Sequence, residues 1–228
     1  MASWSRSPCP SPCAAIEAIT TTALDPTGFI TRHLRLAPIP GYPALRRYTP
    51  HPGSGLGRLA DQQDASPYWA YLWSGGLALA AWLTEHPAEA AGRRILDYGT
   101  GSGLVAMIAA QAGAARVVAI DSDPFARAAA ALNAAANGLD ITVVDTLPEP
   151  ASLDLVLAGD VFYDLAAAQT SLIALDTLRD HGVPVFVGDP GRKDLPLDRL
   201  TAIASYDVPE FGGTPGATVR SSVYRYRP

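Results

Sequence analysis

A glycine-rich turn and three strand-end carboxylates carry most of the chemistry legible in this chain. The turn is Asp97-Tyr98-Gly99-Thr100-Gly101-Ser102-Gly103, and it follows the apolar run Arg94-Ile95-Leu96-Asp97. Glycines at alternate positions let a backbone bend sharply and approach a ligand where any Cβ would collide. A diphosphate fingerprint needs Gly-x-Gly-x-x-Gly, and its third glycine would fall on Leu104. The spacing here is instead Gly-x-Gly-x-Gly, with Asp97 two residues ahead of Gly99. A carboxylate at that place repels a diphosphate and suits the cationic methionine end of S-adenosylmethionine. Asp121 ends the next apolar run, 18 residues beyond Gly103, where a carboxylate can accept both ribose hydroxyl hydrogens. That role fits either cofactor class. Asp145, closing a third run, is placed to receive an adenine amino group, or else is a strand-end Asp that favours a turn.

The third of these carboxylates is Asp160, in Gly159-Asp160-Val161-Phe162-Tyr163-Asp164, which follows the apolar strand Leu153 to Ala158. Asp160 is expected beside the sulfonium methyl group, with Phe162 and Tyr163 as an aromatic wall. Methyl transfer is an in-line displacement, so it needs proximity, alignment and an uncharged nucleophile. For a lysine, whose unperturbed pKa is about 10.4, desolvation between rings favours the neutral amine. Asp160 would orient that amine; the alternative for Asp160 and Asp164 is helix capping. Upstream, Ser66-Pro67-Tyr68-Trp69-Ala70-Tyr71-Leu72-Trp73-Ser74-Gly75-Gly76 gathers four aromatics. Trp69 is read with Phe162 as acceptor surface. Trp73 beside two glycines is a flat face for cofactor or acceptor, or simple packing, and Trp82 is core. Arg192 and Lys193 read as a solvated loop or as contacts to an acidic partner.

These groups need a parallel sheet to bring them together. Strands are expected at Arg94–Asp97, Val117–Asp121, Ile141–Asp145, Leu153–Ala158 and Val185–Val187, alternating with helices at Leu104–Ala112, Pro124–Asn137 and Ala166–Leu178. A helix near Leu195–Ala204 and a closing hairpin of Tyr206–Phe211 with Ser221–Tyr226 complete a doubly wound, seven-stranded Rossmann-like sheet. Residues 1–13 read as a disordered tail, 14–74 as a helical extension with a Pro/Gly-rich segment, and 75–228 as the methyltransferase domain. Helical periodicity spans 14–36, and Pro38 to Pro67 reads as a long connection.

Composition narrows the classes. The chain has 228 residues, 17 basic against 22 acidic, for a net charge of −5. Nucleic-acid binding would need a basic stripe to displace phosphate counterions, so no nucleic-acid partner is expected. Cys9 and Cys13 supply half a zinc site, so no metal is expected either. No apolar run reaches the roughly 20 residues of a membrane span, and the chain is placed in the cytoplasm as a monomer.

Taken together, the motifs resemble the electron-transfer-flavoprotein β-subunit lysine methyltransferases and their bacterial relatives, over roughly Phe29 to Tyr226. The resemblance rests on Pro67 to Gly76, Leu96 to Gly103, Asp121-Ser122-Asp123-Pro124, Gly159 to Asp164 and Gly188-Asp189-Pro190-Gly191-Arg192. It implies methylation of lysine side chains on that β subunit. It implies cofactor contacts from Trp73, Asp97 to Gly103 and Asp121, with Asp160 and Tyr163 near the acceptor. Relatives tend to carry Ser-Val-Trp where this chain has Ser222-Val223-Tyr224, and Thr49 to Leu59 is unusually rich in Pro and Gly. A ribosomal protein or a small nitrogen nucleophile as acceptor, or a non-catalytic cofactor-binding subunit, are the alternatives. Leu104 argues against a nicotinamide oxidoreductase.

Overall fold

The computed structural model describes residues 24–214 and 216–227. The expected tail at 1–13 and the first part of the expected helical segment, 14–23, lie outside the described residues.

Helix α1 (Pro26–His33) begins at a proline, whose fixed φ suits a first helical position. Strands β1 (Arg35–Ile39) and β2 (Tyr42–Thr49) then form an antiparallel hairpin turned by Gly41 at φ 82°. This region was expected to be helix running into a long connection. The hairpin escapes the eye because three prolines interrupt it and only Ile39, Leu45 and Arg47 are buried. Two asparagines of a later helix latch it. Asn133 Oδ1 accepts from the Tyr48 N–H at 2.8 Å, and Asn137 Oδ1 from the Arg46 N–H at 2.8 Å. Helix α2 (Leu56–Gln63) and a single turn at Tyr68–Ala70 lead into helix α3 (Ser74–Glu85).

The main sheet holds β3 (Arg94–Tyr98), β4 (Arg116–Ile120), β5 (Thr142–Val144), β6 (Leu155–Gly159), β7 (Val185–Asp189), β8 (Leu200–Pro209) and β9 (Thr218–Tyr226). Their spatial order is β5-β4-β3-β6-β7-β9-β8. The first five are mutually parallel, crossed by α4 (Leu104–Gln111), α5 (Pro124–Ala136) and α6 (Leu165–Asp180), and β9 enters antiparallel to both neighbours. This is the seven-stranded doubly wound sheet that the strand pattern predicts. The expected helix near 195–204 is instead a short turn and the start of β8. As an edge strand β8 pairs on one side only, and between Leu200 and Val208 its residues are exposed or half-buried, which blurs its alternation.

Chain order reverses between β3 and β6, where Asp97 pairs in register with Leu157 and Tyr98 with Ala158. Ligands of open α/β sheets sit at such a switch point. Helix α3 comes unusually close there. A Cβ on Gly75 would overlap the Gly188 carbonyl, and one on Gly159 would stand 2.9 Å from Gly76 Cα. Glycines on helix and strands together let the first turn of α3 press directly on the ends of β6 and β7.

Candidate active site

The loop after β3 is built from left-handed glycines: φ is 68° at Gly99, 52° at Gly101 and 83° at Gly103. Side chains rarely tolerate that region, and a Cβ on Gly99 would also meet Val161 at 2.9 Å. Two carboxylates hold the loop's shape. Asp97 Oδ2 accepts from the Thr100 hydroxyl at 2.6 Å and the Ala106 N–H at 3.0 Å. Asp121 bridges from β4, accepting from the Gly101 N–H at 3.0 Å and the Asp123 N–H at 3.0 Å. Burial pushes Asp97 up to about 6 against these hydrogen bonds, with Asp121 adding to the rise. Asp121 is raised in the same direction, mainly by burial. Among the described residues no cationic side chain pairs with Asp97.

A narrow cleft beside this loop opens to solvent. Trp73, Asp97, Gly99, Gly101 and Asp160 all line it. Gly103 and Asp121 stand behind the loop and shape it. Asp145 is exposed and borders a separate open depression with Arg127 and Val143.

Asp160 ends β6 in the left-handed region at φ 55°, a conformation uncommon for a non-glycine residue and found often at functional sites. Its Oδ2 accepts from the Gly76 N–H at 2.9 Å, so it caps the first turn of α3 from across the sheet. Its Oδ1 accepts from Arg192 Nη2 at 2.7 Å. Burial raises the Asp160 pKa, and Arg192 and the α3 amides oppose the rise. Arg192 is thus not a solvated loop residue: its side chain is 27% exposed and paired with Asp160. Asp189, fully buried at the end of β7, accepts from the Gly191 and Arg192 N–H groups at 2.7 Å each and fixes that loop. The capping role expected for Asp164 is present, since its side chain accepts from the Ala167 N–H at 2.8 Å.

The aromatic wall differs from expectation. Phe162 is 0% exposed and packs in the core beneath α6. Trp69 is 3% exposed and stacks on Phe125 at 5.5 Å, joining α5 to the N-terminal segment. Alternating buried and open positions on a turn look alike in sequence, so the aromatic cluster could not be sorted by exposure. Tyr163 does reach the surface and lies 5.2 Å from Tyr68. The rim continues from Tyr68 to Trp73 at 5.6 Å and from Trp73 to Phe211 at 4.6 Å, with Tyr71 4.4 Å from Phe211. Phe211 comes from the β8–β9 turn and carries no local signal of a site.

Three relatives are similar to this chain in sequence. A mouse electron transfer flavoprotein β subunit lysine methyltransferase is 36% identical over 64% of this chain and 61% of its own length. The zebrafish protein of that name is 40% identical over 70% of this chain and 66% of its own. The Xenopus laevis protein is 33% identical over 86% of this chain and 85% of its own. The chain belongs to this methyltransferase family. It thus spans somewhat under two thirds of the mouse and zebrafish proteins and most of the Xenopus one. A family model for ribosomal protein L11 methyltransferase (PrmA) also matches, over residues 79–172.

The cofactor of such a methyltransferase is S-adenosylmethionine, and the residues present fit it. The left-handed glycines leave a cradle that a Cβ would fill, and Asp97 is a buried carboxylate lining the cleft without a cationic partner among the described residues.

Proposed function

We propose that the protein transfers methyl groups from S-adenosylmethionine to lysine side chains of the electron transfer flavoprotein β subunit. The observation that carries the reading is one continuous cleft. The glycine loop, Asp97, Trp73 and Asp160 line it together, and Trp73 joins it to a cluster of exposed aromatic rings.

In this reading Gly99 and Gly101 present backbone to the cofactor, Asp97 faces its cationic methionine end and Asp121 accepts from its ribose hydroxyls. Trp73 covers it. When bound, the cofactor supplies an electrophilic methyl group. Tyr163 and Tyr68 flank the incoming lysine, strip water from it and so favour its neutral form. Asp160 orients the amine. Asp145, directly after β5, receives the adenine amino group. The protein acts as a cytoplasmic monomer, without nucleic acid. Among the described residues no helix is long and apolar enough to cross a membrane.

A ribosomal-protein acceptor is the second reading, favoured by the family match over 79–172. That stretch carries the glycine loop and Asp160 but neither Pro67 to Trp73 nor Gly188 to Arg192, so it speaks for cofactor use more than for acceptor. The test is to offer purified β subunit and purified ribosomal protein L11 side by side with tritiated-methyl cofactor, mapping label by mass spectrometry. Label on β-subunit lysines is expected. Label confined to L11 would replace the acceptor assignment, and label on neither would remove both acceptors.

A further inference from the structure

We propose that Arg192 is a positioning residue of the acceptor site, which neutralises the Asp160 carboxylate so that an incoming lysine is received as the free amine. The inference rests on the lysine-methyltransferase reading above and deepens it.

An isolated carboxylate at the mouth would hold a lysine as its ammonium, which has no lone pair to give. The structure avoids this by pairing. Arg192 Nη2 lies 2.7 Å from Asp160 Oδ1, and the guanidinium carbon stands 5.8 Å from the centre of the Trp73 ring. The loop that carries Arg192 is anchored from below, through the two backbone N–H groups held by Asp189. Asp160 is already capped onto α3 through its other oxygen, so the helix contact does not depend on the arginine. What the arginine adds at this spot is a positive charge, in a partly buried place where charges interact strongly. A positive charge close to an amine lowers the amine's pKa.

The groups facing the site can be named by element. Asp160 and Tyr163 come from β6 and the turn after it, and Asp189 and Arg192 from β7 and its loop. Asp97 and Asp121 come from the glycine loop and β4, and Tyr68 and Tyr71 from the segment before α3. Asp97 and Asp189 are each pushed up to about 6 by burial, so both are ionised above pH 7. The Tyr163 phenol is raised above its ordinary 10. In the proposal the lysine amine is the group whose titration controls transfer between about pH 7 and pH 9.5. Its proton leaves to water first. The nitrogen lone pair then forms the N–C bond as the S–C pair stays on sulfur, and the methylated ammonium is released.

The test is the pH dependence of the single-turnover rate, with purified electron transfer flavoprotein β subunit as acceptor. Without Arg192 the bound amine is harder to deprotonate, so the rising limb must move to higher pH. Arg192→Gln is expected to move its midpoint up by about 1 to 2 pH units, while cofactor affinity by calorimetry stays within about twofold of the wild type. Arg192→Lys, which keeps the charge, should hold the midpoint within about half a unit. Arg192→Met serves as a second neutral variant should the glutamine form fail to fold. A lower plateau with an unmoved midpoint in the neutral variants would reduce Arg192 to a structural brace and overturn the proposal. So would an equal displacement in the lysine variant. If the wild-type enzyme labels no β-subunit lysine, the reading beneath the proposal fails instead.

Discussion

Asp97 should make the cofactor-free protein less stable than it need be, and replacing it with Asn should reveal this. Its carboxylate is 2% exposed and held at a pKa of about 6, against an ordinary 3.8. That difference corresponds to about 3 kcal/mol of unfavourable burial at pH 7. Asparagine keeps the shape, and its carbonyl can still accept from Thr100 and the Ala106 N–H, though more weakly by about 1 kcal/mol. Asp97→Asn should therefore stabilise the free protein by about 1 to 3 kcal/mol at pH 7.5, a rise in Tm of about 3 to 10 °C for a chain this size. The sign with pH follows from the raised pKa. Between about pH 4 and pH 6 the folded state holds a proton that the unfolded chain has lost, so wild-type stability falls as pH rises through that window. The variant should lose the Asp97 share of this slope and keep the share of Asp189, which burial also pushes up to about 6. It should also lose the thermal shift that S-adenosylmethionine gives the wild type, because the proposed function sets the buried negative charge against the cofactor's cationic end. The assay is a thermal unfolding series from pH 5 to pH 8, with and without cofactor. A variant that melts lower at pH 7.5, or that keeps the full cofactor shift, would refute the reasoning.

Two further substitutions separate cofactor from acceptor. Asp121→Ala removes the proposed acceptor for the ribose hydroxyls and the brace on the Gly101 N–H, so cofactor affinity by calorimetry should fall about 10- to 100-fold; an unchanged Kd would exclude the role. Phe211→Ala deletes a ring in contact with Tyr71 and Trp73, and at about 0.5 to 1.5 kcal/mol per ring pair KM for the protein acceptor should rise about tenfold with cofactor affinity unchanged. A loss confined to cofactor affinity would move Phe211 from the acceptor side of the cleft to the cofactor side.

What could be read in advance and what could not differ by how far apart the interacting residues lie in the chain. The glycine loop was legible because its demands are local. Left-handed backbone at residues 99, 101 and 103 calls for glycine, and the carboxylate that braces the turn sits two residues ahead of the first. The parallel strands were legible because strands buried on both faces are continuous apolar runs, as in Leu155 to Ala158. The N-terminal hairpin was not, since what holds it is Asn133 and Asn137, some 85 to 91 residues away. Nothing near Tyr48 announces a partner on α5. Phe162 and Tyr163 show the same limit within two residues: both follow a buried strand, yet one is sealed under α6 and the other opens onto the rim.

The Asp160–Arg192 pair is the instance with the largest consequence for function. Each half was visible, one as a strand-end acid and the other as a loop base, and 32 residues separate them. Adjacent parallel strands in register bring the two together, with Gly159 opposite Gly188. The first turn of α3 can reach the same point only because both of those positions lack a Cβ. Glycines that look like packing details in β6 and β7 are thus a condition of the site. A side chain on either would lift α3 away and remove the Gly76 N–H that holds the second oxygen of Asp160.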